Sequence, residues 1–167
     1  MAFAERQAAQ LEELMAQYGT ELLRVCYMVL KDAQQAEDTV QETFIKAYKS
    51  MAASSLDNPR AWLMKIAINT CKDYLRSAWF RRVDRKVAPE DVPFLTTDSF
   101  EYDDTVFEAV MDMPLKFREV ILLRYYEGLK IDEIAQALGL TLSGVQSRLN
   151  KARKWLQPKL ERWYFDE

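Results

Sequence analysis

The stretch from Lys130 to Gln157 limits what this chain can fold into more than any other. Ile131, Ile134, Ala135 and Leu138 recur with a helical period, and Val145, Leu149, Ala152 and Leu156 do so again at steps of 4, 3 and 4. Between the two runs stands Gly139, which has no Cβ to clash in a left-handed turn. Thr141 follows where an N-cap is wanted. The reading is two helices joined by a tight turn, each with one apolar face to bury.

The second helix has a polar exterior. At about 100° per residue, Ser143, Ser147, Asn150 and Lys154 point away from its apolar stripe, with Gln146, Arg148, Lys151 and Arg153 at the flanks. From Thr141 to Arg162 there are six Lys or Arg residues against one acid. Small polar residues at an exposed helix start, followed by a basic body, suit a helix that enters a major groove and neutralises phosphate. An amphipathic helix with a solvated charged face has the same pattern, since helix-turn-helix shapes are common.

Charge is segregated along the chain. The net charge of −3 conceals −3 in residues 1–50, +5 in 51–87, −8 in 88–112 and +3 in 113–167. Two basic segments separated by an acidic one suggest two nucleic-acid-facing modules on a linker. No apolar run approaches the ~20 residues that span a bilayer. The start, MAFAERQAAQLEEL, lacks the basic and apolar segments of a signal peptide, so a cytoplasmic protein without membrane insertion is expected. With no His and two Cys, neither a metal site nor a His-based triad is expected. Cys26 and Cys71 lie in apolar helical patterns and read as buried thiols.

Everything outside the linker reads as helix. A first helix over 4–18 is expected to break at Gly19, with Thr20 capping a nearly all-apolar second one to about Leu30. Asp32 and Gln35 resemble a capping box for a helix through Ser50. Its buried stripe should be Ala33, Ala36, Val40, Phe44 and Ala47, leaving Asp38, Gln41, Glu42, Ile45 and Lys49 outward. An exposed Ile among acids and an amide fits a protein-docking patch, although single exposed apolar residues are also ordinary. After the small-residue loop Met51–Asp57, Asn58 and Pro59 start a helix to about Phe80. Trp62, Leu63, Ile66, Thr70 and Tyr74 should face inward, with Met64, Ala67, Ile68, Cys71 and Leu75 widening the arc. One polar ridge remains, Lys65, Asn69, Lys72, Asp73 and Arg76, which fits either a nucleic-acid strand or a salt-bridged solvent face. Residues 87–103 carry Pro89, Pro93 and acids without helical period. Thr105 and Glu108 form a capping box for a helix to about Asp112. A further helix runs from Pro114 to Glu127, closed by Gly128, and Pro158 permits a bend before the terminal Trp163, Tyr164 and Phe165. The expected fold class is all-α: helical domains at 1–86 and 104–167 joined by an irregular acidic linker, the second a helix-turn-helix.

Three segments, in order, resemble the extracytoplasmic-function sigma factors of bacterial RNA polymerase. Ala36-Glu37-Asp38-Thr39-Val40-Gln41-Glu42-Thr43-Phe44 is similar to the family's AEDLVQETF signature in region 2. Trp62 through Arg76 is similar to its WLxxIAxNxxxDxxR pattern. Met113-Pro114 through Arg118, Arg124 through Gly128, Glu133-Ile134-Ala135 and Val145 to Arg153 resemble region 4. The chain departs from the common GTVKSR at Ser143-Gly144-Val145-Gln146-Ser147-Arg148, where Gln146 replaces a Lys. An amide there can pair with adenine.

The resemblance implies a promoter-specificity subunit with no catalysis of its own and no cofactor. Asp38, Gln41, Glu42 and Ile45 would dock on the clamp helices of the polymerase β′ subunit. Lys65, Asn69, Lys72 and Arg76, with the Met51–Asp57 loop, would recognise the promoter −10 element, where the family flips a base out of the stack. Ser143, Gly144, Gln146, Ser147, Arg148 and Lys151 would contact the −35 element as duplex. The acidic linker would thread near the RNA path of polymerase. An anti-sigma factor is the further partner the family implies. The alternative is a stand-alone helix-turn-helix regulator whose N-terminal helices dimerise or sense a ligand.

Overall fold

A computed structural model describes residues 2–53, 56–81 and 104–164. The linker 87–103, the cations Arg82, Arg85 and Lys86, and the side chains of Trp163, Tyr164 and Phe165 lie outside what it describes. Among the described residues the regular structure is helical. Helices α1 (Ala2–Leu30), α2 (Ala33–Ser50) and α3 (Pro59–Arg81) pack pairwise on one another as an N-terminal unit. In the C-terminal part, α4 (Asp104–Met111) packs on α5 (Leu115–Ile121), and both pack on α7 (Leu142–Tyr164). A π turn (Leu122–Tyr126) and α6 (Ile131–Leu138) connect α5 to α7.

Caps set several of the boundaries. Asp32 accepts from the Gln35 amide at 3.1 Å and starts α2. The reciprocal arm of the capping box is replaced, because the Gln35 side chain donates to Thr39 at 3.4 Å. Asn58 accepts from the Ala61 amide at 3.1 Å with Pro59 in the first helical position, where its missing N–H costs nothing. Thr141 accepts from the Gly144 amide at 3.0 Å and starts α7. Gly128 and Gly139 both adopt positive φ, 68° and 66°, and close the segments before them as expected.

The expected break at Gly19 does not occur, and α1 is continuous from Ala2 to Leu30. A glycine inside a helix costs only about 1 kcal/mol relative to alanine, which the packing of Leu14, Leu22, Val25, Cys26 and Val29 outweighs. The helix ends instead at Lys31, whose φ is 59° and whose amide bonds the Tyr27 carbonyl at 2.6 Å. In α2 the buried set is Ala36, Thr39, Thr43, Phe44 and Ala47, while Ala33 and Val40 are half-buried. Thr43 can be buried because its hydroxyl donates to the Thr39 carbonyl at 2.7 Å, which keeps a polar group satisfied inside the core. In α3 the buried side chains are Ala61, Leu63, Met64, Ala67, Ile68, Thr70 and Cys71. Trp62, Ile66 and Tyr74 are only half-buried, so the inward face is rotated from the expected one.

The helix expected over 114–127 splits into α5 and the π turn. The Glu127 amide bonds the Leu122 carbonyl five residues back at 3.0 Å, and the Leu129 amide reaches Leu123 at 2.9 Å. The wider turn keeps both Leu122 and Leu123 fully buried while Tyr125 stands outside. α4 begins at Asp104, one residue before the expected cap, and α7 runs through Pro158 to Tyr164 without ending there. Arg118 is buried and donates to the carbonyls of Met111 and Met113, each at 3.1 Å, which ties the end of α4 to α5. Burial lowers its pKa, and the neighbouring Glu119 charge opposes that.

Candidate protein and nucleic-acid interfaces

The outer face of α2 carries Asp38, Gln41, Glu42, Ile45 and Lys49, all exposed, on the side opposite Ala36, Thr43 and Ala47. Ile45 is 55% exposed, and Tyr48 beside it is also open. The four residues expected to dock, Asp38, Gln41, Glu42 and Ile45, thus share one exposed face. Lys46 sits at the edge of this face. Its ammonium lies 3.3 Å from Glu42 and donates to Thr70 of α3 at 3.1 Å. At the far end of the helix, Gln7 of α1 donates to the Tyr48 carbonyl at 3.3 Å.

On α3, Lys65, Asn69 and Arg76 are exposed and Lys72 is half-buried, at steps of 4, 3 and 4 along one ridge. Asp73 forms an ion pair with Arg76, so part of the ridge's positive charge is answered within it. Asn69 directly precedes the buried Thr70, whose hydroxyl donates to the Ile66 carbonyl at 2.7 Å. Of the adjoining loop, Met51–Ala53 forms a short 3-10 turn with Met51 buried, and 54–55 lie outside the described residues.

On α7, Val145, Leu149, Ala152 and Leu156 are all buried, as their spacing requires. Ser143, Gln146, Ser147, Asn150, Lys151 and Lys154 are exposed, and Gly144 is half-buried. Arg148 is different. Its Nη1 donates to Glu119 of α5 at 3.2 Å, where the Glu119 carboxylate is 1% exposed and the Arg148 side chain 32%. Arg148 thus joins α7 to α5 and shows only part of its guanidinium to solvent. Arg153, on the other flank, donates from Nε to the Tyr125 hydroxyl at 2.8 Å and from Nη1 to Asn150 at 3.2 Å. Glu119, Tyr125 and Arg153 were not among the site residues read from the sequence. Tyr125 lies in the Arg124–Gly128 match, but nothing in its spacing reveals that it meets a residue 28 positions later.

Cys26 and Cys71 are buried free thiols. A hydrogen bond between the two and burial push the Cys26 thiol well above its ordinary pKa. Among the described residues no group of three or more His, Cys, Asp or Glu is placed to hold a metal, and no helix is long and apolar enough to cross a membrane.

A family model described as Sigma-70 region 2 matches residues 14–81, and one described as Sigma-70, region 4 matches residues 104–156. The chain is 32% identical over 166 residues to the RNA polymerase sigma-H factor of Pseudomonas aeruginosa, covering 88% of this chain and 86% of that protein. It is 31% identical over 164 residues to the ECF RNA polymerase sigma factor SigL of Mycobacterium tuberculosis, covering 95% and 93%. Its fold is similar to that of the sigma factor RpoE of Bartonella quintana, solved in complex with the anti-sigma factor NepR. The TM-score is 0.73 at 22% identity, over 91% of this chain and 97% of the other.

Proposed function

The chain belongs to the extracytoplasmic-function sigma factors of bacterial RNA polymerase, and from that membership we propose how its surfaces divide the work of promoter-specific transcription initiation. The observation that carries the reading is the presence of both sigma regions in order along the chain. Asp38, Gln41, Glu42 and Ile45 dock on the β′ clamp helices of core polymerase, with Ile45 supplying apolar area inside an acidic and amide rim. Lys65, Asn69, Lys72 and Arg76 meet the −10 element as a separated strand, where backbone charge and polar edge contacts offset the cost of unstacking a base. The start of α7 reads the −35 element as duplex: Ser143, Gln146 and Ser147 lie nearest the base edges, and Lys151 neutralises phosphate.

The protein acts without catalysis of its own, in the cytoplasm where polymerase acts. The sigma factor RpoE of Bartonella quintana, which shares this fold, was solved in complex with an anti-sigma factor, and a partner of that kind would hold this chain inactive. The test is in vitro transcription with core polymerase, with and without this protein, on a library of random upstream sequences. New start sites that share two spaced motifs are the expected result. Duplex binding without polymerase-dependent initiation would instead identify a stand-alone regulator.

A further inference from the structure

We propose that Glu119 and Tyr125 are positioning residues for promoter binding, holding Arg148 and Arg153 on the two flanks of α7 as clamps for backbone phosphates. The proposal rests on the sigma-factor reading of α7 as the helix that enters duplex DNA. Arg148 and Arg153 are five residues apart, which at about 100° per residue places them about 140° apart around the helix. The buried stripe lies between them on the inner side, and Ser143, Ser147 and Lys154 lie between them on the outer side. A helix that presents that outer side to a major groove turns its flanks toward the two phosphate rims.

Both guanidiniums are held from outside their own helix. Arg148 is bound through Nη1 to the buried carboxylate of Glu119 on α5. Arg153 is bound through Nε to the hydroxyl of Tyr125 on the π turn, and its charge also lies 5.7 Å from the centre of that ring. A guanidinium has five N–H donors in a rigid fork, so each arginine keeps donors for a phosphate after making these bonds. A long side chain that is already ordered loses less freedom when it binds. Neither contact reads a base, so the clamps strengthen binding to any sequence and set the depth of α7 in the groove. The π turn serves this arrangement by leaving Tyr125 exposed while Leu122 and Leu123 stay buried.

The test measures promoter affinity of the holoenzyme across a salt series for wild type, Tyr125→Phe, Arg153→Ala and the double variant, on a promoter dependent on its −35 element and on one with that element scrambled. Tyr125→Phe should weaken binding about three- to tenfold on both sequences. Arg153→Ala should lower the slope of log affinity against log salt by about one. Adding Tyr125→Phe to Arg153→Ala should change nothing further, since the hydroxyl then has no arginine to place. Glu119→Gln should be silent in the same way once Arg148 is alanine, and because Tyr125 is exposed its arm stands even where Glu119→Gln unfolds the chain. An unchanged affinity for Tyr125→Phe, additivity of the two Tyr125 and Arg153 substitutions, or a changed base preference at constant salt slope would overturn the proposal. The same variants are measured with the full chain alone on duplex DNA, so a chain that fails to initiate with polymerase refutes the sigma reading while the arginine comparison still gives its answer.

Discussion

Arg148 of α7 donates to Glu119 of α5 across 3.2 Å, and the carboxylate it meets is 1% exposed. A buried carboxylate depends on such a partner, because the charge left behind when the partner is removed has no water to solvate it. Arg148→Ala should therefore destabilise the chain by roughly 1–3 kcal/mol, the cost of a buried group losing its hydrogen bond, reduced by the arginine's partial exposure. Replacing both residues with apolar ones should cost less than the sum of the single changes. Urea unfolding of the full chain, followed by circular dichroism, reads both, and a midpoint unmoved by Arg148→Ala would show that the pair does not stabilise the fold.

The glycines of this chain should respond in opposite directions. Gly19 lies inside α1 with nothing within 4 Å of where its Cβ would stand, so Gly19→Ala should raise stability by about 0.5–1 kcal/mol. Gly139 has φ 66°, and Gly139→Ala should lower stability by about 1–2 kcal/mol. Thermal unfolding of the two variants compares them directly.

At the start of α7, Gly144 lets the cap close. A Cβ there would stand 3.0 Å from the Thr141 hydroxyl that caps the helix. Thr141→Ala alone should cost about 1 kcal/mol. Gly144→Ala should bring no net gain with Thr141 present, but up to about 1 kcal/mol in the Thr141→Ala background, where helix propensity acts unopposed. Equal effects in the two backgrounds would mean that cap and methyl do not compete.

Glu42→Arg reverses a charge at the centre of the proposed docking face. Among the described residues it pairs with Lys46 at a largely open site, a type of pair that contributes little to stability, so the fold should survive. Affinity for core polymerase should fall by about tenfold or more, as like-charge contacts cost more than a kcal/mol at an interface. Competition binding against wild type measures it, with Asp38→Arg as a second position, and unchanged binding for both would remove the docking role from this face.

The hydrogen bond that the Cys26 thiol donates to Cys71, together with burial, holds the proton on Cys26 more tightly in the folded chain than in the unfolded one. A group whose pKa is raised by folding contributes stability below its unfolded value and loses it as pH rises through the folded one. Unfolding free energy should thus fall with rising pH above about 8.5, the ordinary thiol range, and Cys26→Ala should flatten that slope. A urea series over pH 7–10, read against the variant, isolates the thiol from the tyrosines.

The sequence by itself determined the elements and most of their ends. Apolar residues at helical spacing mark α2, α3, α6 and α7, and Asp32, Asn58, Thr141, Gly128 and Gly139 act at the boundaries as their chemistry dictates. These signals are local, complete within one or two turns, and therefore readable along a line. The outward faces of α2, α3 and α7 follow from the same periodicity, which is why the residues proposed for docking and those of the α3 ridge stand where their spacing put them. What needed the tertiary structure was every outcome decided by one face meeting another. Gly19 does not end α1, because packing against α2 and α3 outweighs a propensity of about 1 kcal/mol. Thr39 and Thr43 enter the core because a hydrogen bond along the helix satisfies the buried Thr43 hydroxyl. The π turn forms where burying both Leu122 and Leu123 requires a wider turn than an α-helix gives. The partners of Arg148 and Arg153 lie 29 and 28 residues earlier, and only the packing of α5 and the π turn beside α7 brings them together, because no local period connects residues so far apart.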